Sequence, residues 1–296
     1  MSSRSSGVRG VGALSLPATA PPSAWLAAVV LLALIGLLYS TVTRDLVRQW
    51  WDDPNYSHGF LIPLFSAWLV WRRRAALAVE GEGTWLGVPV LLLGLAMLLL
   101  GDLGAEFFLM RSSLVVVLSG LVLAHFGRAT LRALAFPLAF LLFMVPLPSV
   151  VLFAMTLPLQ TLAAQNAAGA LEVLGVPVLL DGNVIHLSQV SLGVTEACSG
   201  IRSLISLLAV AVGWGYLTLP GAWRTAVLAA TAVPVSVVAN AGRVVATAFV
   251  AQWAGVEYAQ GFMHSVSGWL VFVFAMACLV GTHRALTLTA TRRAAH

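Results

Sequence analysis

Eight apolar runs of near membrane-spanning length, separated by short loops, leave this chain few folds to choose from. They lie at about 24–40, 58–71, 85–101, 112–127, 132–155, 199–217, 223–241 and 264–283. The hydrocarbon core of a bilayer is about 30 Å thick, so roughly 20 apolar residues in a helix cross it. With 60% of its 296 residues hydrophobic, 9% charged and a mean hydropathy of +0.95, the chain cannot be a water-soluble fold. The fold class predicted is an all-α polytopic membrane protein with about eight transmembrane helices and a small extracytoplasmic β-hairpin. A single membrane domain over residues 23–284 is expected, between a disordered Ser/Gly/Pro/Ala-rich cytoplasmic tail (1–22) and a short cytoplasmic tail (285–296).

All 16 basic residues are arginine. Most fall in loops that share one side if the runs alternate, among them Arg72, Arg73, Arg74, Arg128, Arg132, Arg224 and Arg284. The acids Asp52, Asp53, Asp102, Glu106, Glu172, Asp181, Glu196 and Glu257 fall on the other. By the positive-inside rule both termini are cytoplasmic. The net charge of +5 reflects this orientation rather than a basic face for nucleic acid, so no nucleic-acid partner is expected and lipid is.

The connection at about 156–198 is then outside. Thr156–Gly175 reads as a helix that lies along the interface or packs between spans, because Gln160, Gln165, Asn166 and Glu172 break its apolar pattern. Val178–Leu180 and Val184–Leu187 flank Asp181-Gly182-Asn183, a turn signal between β-prone runs, which predicts the hairpin. The stretch at about 244–263 is predicted to hold a second interfacial helix with Trp253 and Tyr258.

Three reactive residue types converge at that outer surface. Cys198 stands where the outer loop enters the sixth run, Arg243 at the outer end of the seventh, and His264 at the outer start of the eighth. They are 45 and 21 residues apart in sequence. The only other cysteine, Cys278, lies 14 residues past His264, about 21 Å deeper along a helix. A disulfide needs a Cα separation below about 7 Å, so Cys198 is predicted to be a free thiol in an oxidising compartment. A nearby imidazole or guanidinium favours the nucleophilic thiolate, imidazolium can protonate a leaving amine, and arginine can hold an oxyanion without losing its charge.

Each residue also has a plainer interpretation. Cys198 fits a small buried residue at a helix start, and Arg243 fits an interfacial arginine snorkelling to headgroups. Asn240 shares the Arg243 face and can orient it. Arg202, one turn after Cys198, either brings a second positive charge to the thiolate or pairs with Glu196 or another outer acid. His58 either approaches from the second run or anchors it at the interface. Gly268 is expected to let another helix come close. No cluster has metal-ligand spacing and no phosphate loop is present, so no metal or cofactor is predicted.

Four blocks resemble the exosortase/archaeosortase family of membrane cysteine transpeptidases. Glu196-Ala197-Cys198-Ser199-Gly200-Ile201-Arg202-Ser203 is similar to its cysteine motif, and Asn240-Ala241-Gly242-Arg243-Val244 to its arginine motif. Phe262-Met263-His264-Ser265-Val266-Ser267-Gly268-Trp269 resembles its histidine motif. Tyr56-Ser57-His58-Gly59-Phe60-Leu61-Ile62-Pro63, followed by Trp71-Arg72-Arg73-Arg74, looks like its bacterial branch. The likeness covers about residues 24–284. It implies an eight-span enzyme of the bacterial inner membrane with Cys198, Arg243 and His264 catalytic on the periplasmic face. The implied partners are exported proteins with a PEP-CTERM tail, which joins a Pro-Glu-Pro motif, a transmembrane helix and basic residues. Such systems often accompany exopolysaccharide production.

The alternative from the residues alone is a transporter or flippase for a polysaccharide or lipid precursor, with Arg243 and Arg202 binding an anionic group. It would need no thiol, and the paired interrupted helices of an inverted-repeat transporter are not visible in the sequence. A non-catalytic assembly factor would tolerate replacement at all three positions.

Overall fold

Glycines set the closest packing in the chain. The computed structural model describes residues 22–74, 83–188, 190–194, 200–255 and 262–294. Within them, α4 (Gly87–Leu103) lies antiparallel to the first limb of α5 (Phe107–Phe140). Gly87, Gly94 and Gly101 recur every seventh residue and meet Ala124, Val117 and Met110 in turn, while Gly120 meets Leu91 from the other side. A Cβ on Gly94 would lie 2.6 Å from Val117 Cγ2, and one on Gly120 would lie 2.7 Å from the Leu91 nitrogen. Without a hydrophobic force between helices in lipid, such backbone approach is what gives van der Waals contact.

The α5 segment doubles back on itself. Its 34 residues would run about 50 Å if straight. Yet Arg111 Nη1 donates to Gln49 Oε1 (2.6 Å) near its start, and Trp50, the next residue, donates from Nε1 to Met144 O (2.9 Å) just past its end. The reversal is at Gly127, with φ 77° and ψ −176°, a conformation essentially reserved for glycine. It falls at the boundary between the fourth and fifth predicted runs. The fifth does not continue to 155. Leu141–Met144 tightens into a 3-10 turn, Pro146 and Pro148 stop the helix, and α6 (Ser149–Val173) begins after them.

Of the described residues, those from Pro22 to Thr41 belong to a separate unit, with α1 (Pro22–Leu38) apolar along its whole length. The helix α2 (Ser40–Asp52) lies in the second unit from Val42 on and buries Val42, Leu46 and Trp50 on one face. A 3-10 turn, Ser57–Phe60, leads into the short α3 (Leu61–Arg72). The three last helices, α7 (Ile201–Thr218), α8 (Ala222–Ala254) and α9 (Phe262–Ala294), pack through Leu204 and Leu207 against the small residues Ala232, Ala239 and Ala275.

By length and composition, five helices among the described residues can cross a membrane: Phe107–Met144, Ser149–Val173, Ile201–Thr218, Ala222–Trp253 and Ser267–Thr289. The number is six if α1 and α2 are taken as one span. The count differs from the eight expected because α3 and α4 are short, both limbs of α5 count once, α1 counts only together with α2, and α6 is added. The chain is a multi-pass, predominantly helical membrane protein.

Two expectations for the outer side change. Of the two placements open for Thr156–Gly175, the interfacial one gives way, since α6 runs unbroken from Ser149 and is apolar enough to span. The polar Gln160 that interrupts its pattern is buried and accepts from Asn183 Nδ2 at 3.4 Å. Likewise 244–254 continues α8 rather than starting an interfacial helix; Tyr258 lies outside the described residues. At 33 residues, or about 50 Å, α8 is longer than a bilayer core is thick.

The predicted hairpin is present within a three-stranded antiparallel sheet, β1 (Leu179–Asp181), β2 (Val184–His186) and β3 (Ser191–Gly193), in the order β1-β2-β3. Gly182 takes the first turn position with φ +59°, the pattern of a II′ turn. The sheet rests on Ala163, Ala164 and Ala167 of α6 and on Val244 and Ala248 of α8 through Ile185, Leu187 and Val194.

Candidate functional site

Arg243 belongs to a polar stripe on α8. Ser236, Asn240 and Arg243 follow at helical spacing, and Ser236 and Asn240 are buried. Gly200, which caps the start of α7 with φ 78°, is pressed onto this stripe. A Cβ built on it would lie 3.2 Å from Asn240 Cβ and 3.6 Å from Ser236 O. Gly200 therefore admits the backbone of the cysteine motif to within contact of Asn240, one turn below Arg243. Cys198 itself and Glu196 lie outside the described residues.

On its other side Arg243 lines a cavity of about 390 Å³ between α8 and α9, shared with Ser267, Leu270 and Val271. Ser267 is buried and sits one turn after His264 in α9. The backbone of His264 lies in that helix, and its side chain is outside the described part. Apart from Arg243 and Ser267 the cavity walls are apolar. A guanidinium among apolar groups exerts a stronger field on a reacting group than one in water does. Arg243 is half-buried, its Nε is buried, and its carbonyl accepts from Thr247 Oγ1 at 2.9 Å.

The remaining candidates are placed elsewhere. Arg202 donates from Nε to Asn55 Oδ1 (3.1 Å), and Asn55 N donates to Asp53 Oδ1 (2.9 Å). This bond ties the start of α7 to the turn that carries His58. The His58 Nε2 lies 3.2 Å from Phe143 O, and its ring lines a larger cavity of about 720 Å³ with Ser206, Trp214, Trp269 and Phe272. That cavity shares no lining residue with the one beside Arg243. Gly268 does not mediate a close helix contact, because a Cβ there would meet nothing within 4 Å. Its neighbour Trp269 is 75% exposed, so this face of α9 is open among the described residues.

Three of the four resembling blocks, carrying Gly200, Asn240 with Arg243, and Ser267, are thus joined by contact or by a shared cavity. Residues 50–281 match the family model described as transmembrane exosortase. The chain belongs to the exosortase family. No curated protein and no solved structure matches it. The exosortase match spans α3 to most of α9, the sheet and both cavities, and leaves α1 outside. Two features of this exosortase escaped the sequence. Asn55 is 147 residues from Arg202, too far for any periodicity to reveal the pair. Ser267 was visible only as part of the histidine block, although it is the polar residue that α9 contributes to the cavity beside Arg243.

Proposed function

We propose that this exosortase is a membrane cysteine protease or transpeptidase that cleaves the C-terminal sorting tail of exported proteins at the outer face of the inner membrane. The substrates are proteins ending in a PEP-CTERM tail. The Cys198 thiolate attacks the scissile carbonyl carbon, and Arg243 holds the oxyanion that develops. Collapse breaks the C–N bond, the leaving amine takes a proton from the His264 imidazolium, and a thioester remains. Water or an acceptor amine then attacks the thioester and returns the thiolate.

The observation that supports this most directly is the joining of the three motifs. Gly200, two residues after Cys198, lies on Asn240, and Arg243 shares its cavity with Ser267, three residues after His264. A transporter has no need of a thiol at that meeting point. Replacement Cys198→Ala in cells producing a tagged PEP-CTERM substrate is expected to abolish processing while the protein still inserts. Unchanged processing would sink the proposal.

A further inference from the structure

We propose that the edge of β3 left unpaired among the described residues is the docking strand for the substrate, taking the extended segment just outside the substrate's membrane helix as a fourth strand. The proposal rests on the protease reading above and adds where the peptide is gripped. The hydrogen-bond pattern fixes which backbone groups are on offer. Leu187 N donates to Val190 O and Val194 N to Asn183 O, both at 2.8 Å, and Leu192 is registered opposite Ile185. In an antiparallel ladder alternate residues turn their N–H and C=O to the same neighbour. Val190, Leu192 and Val194 therefore face β2, and Ser191 and Gly193 present theirs to the opposite, open side.

Both residues are exposed, and a Cβ at Gly193 would meet nothing within 4 Å. The Ser191 side chain is engaged within the sheet, its Oγ 2.7 Å from His186 Nδ1, which leaves the backbone of the edge as the group on offer. Unpaired edges of this kind are templates for an added strand.

Position favours a substrate segment over a second copy of this chain. The strand leads by sequence straight to the candidate site, with Cys198 five residues beyond Gly193. Its next residue, Val194, is buried in the same cluster as Val244, the immediate neighbour of Arg243. A peptide laid along three residues thereby runs toward the part of α8 that carries Arg243. Three residues are also a short edge for a stable sheet between two copies.

The test removes one donor without touching the sheet. Gly193→Pro deletes an N–H that β2 does not use, and Gly193 does not have the positive φ that proline cannot adopt. In cells carrying a tagged PEP-CTERM substrate, processing is expected to fall roughly tenfold or more. Alkylation of Cys198 by a small maleimide should stay at the wild-type rate. In parallel, a photo-crosslinking amino acid at Ser191 is expected to capture the tagged substrate in the otherwise unaltered protein. Wild-type processing by Gly193→Pro overturns the docking proposal, as does a crosslink at Ser191 that yields only a second copy of this chain or no adduct. Normal processing by Cys198→Ala would overturn the protease reading instead, so the two failures are told apart.

Discussion

Gly200 and Arg243 carry opposite kinds of constraint, one on backbone space and one on charge. At Gly200 the positive φ and the 3.2 Å gap to Asn240 Cβ act together. An alanine there pays about 1–2 kcal/mol for the left-handed conformation and also pushes the cysteine motif off Asn240. Gly200→Ala is therefore expected to lower processing of a tagged substrate by more than its loss of thermal stability accounts for, measured on the same purified membrane protein. Equal losses would mean that Gly200 serves folding alone. At Arg243 the proposed role needs a planar fork as well as a charge. Lysine keeps the charge and loses the fork, so Arg243→Lys should reduce processing by about 10²-fold or more, and Arg243→Gln at least as much. A Lys variant with wild-type turnover would show that a point charge suffices.

Helices α4 and α5 offer a sharper test of packing than any core leucine, because their contact is backbone on backbone. Leucine at Gly94 would have to begin 2.6 Å from Val117 Cγ2 and 2.9 Å from its nitrogen, and neither helix can yield without losing its neighbours at Gly87 and Gly101. Gly94→Leu is expected to cost about 3 kcal/mol or more, within the range for severe overpacking, and to abolish a cooperative thermal transition in detergent. Gly169 in α6 is the contrasting case. A Cβ there meets nothing within 4 Å, so Gly169→Ala should stabilise by about 0.5–1 kcal/mol through helix propensity. The partners of Gly87, Gly94 and Gly101 were not legible in the sequence, since register across the pair is set by the turn at Gly104–Glu106. The hairpin was legible through Asp181-Gly182-Asn183, whereas β3 carries no turn signal of that strength. The placement of α6 stayed open between interface and span because Gln160 looked like an interfacial residue, when its polar group is satisfied by Asn183 from the sheet. Cys198, Arg243 and His264 could be nominated from their depth in three separate runs. The contact of Gly200 with Asn240 and the cavity shared by Arg243 and Ser267 are tertiary and leave no local trace.

For the molecule as a whole, the proposed chemistry is useful only if the site faces the compartment that exported substrates enter. The two ends of the bundle can be told apart by following contacts along α8. Near its start Thr225 packs on Gly215, whose neighbour Tyr216 stacks on Phe136 with ring centres 3.4 Å apart. Phe136 lies in the limb that follows Gly127, so exposed Ala129 belongs to this end, among Arg128 and Arg132. Near the end of α8, Gln252 donates to Ser188 Oγ at 2.8 Å, which puts exposed Ser188 with the sheet at the other. By the positive-inside rule the first end is expected on the cytoplasmic side. With both native cysteines replaced by alanine, Ser188→Cys is expected to react with a membrane-impermeant maleimide in intact spheroplasts. Ala129→Cys should react only after permeabilisation. The reverse pattern would put Arg128 and Arg132 outside and the sheet inside, and a protease acting on exported tails could not then work from the cavity beside Arg243.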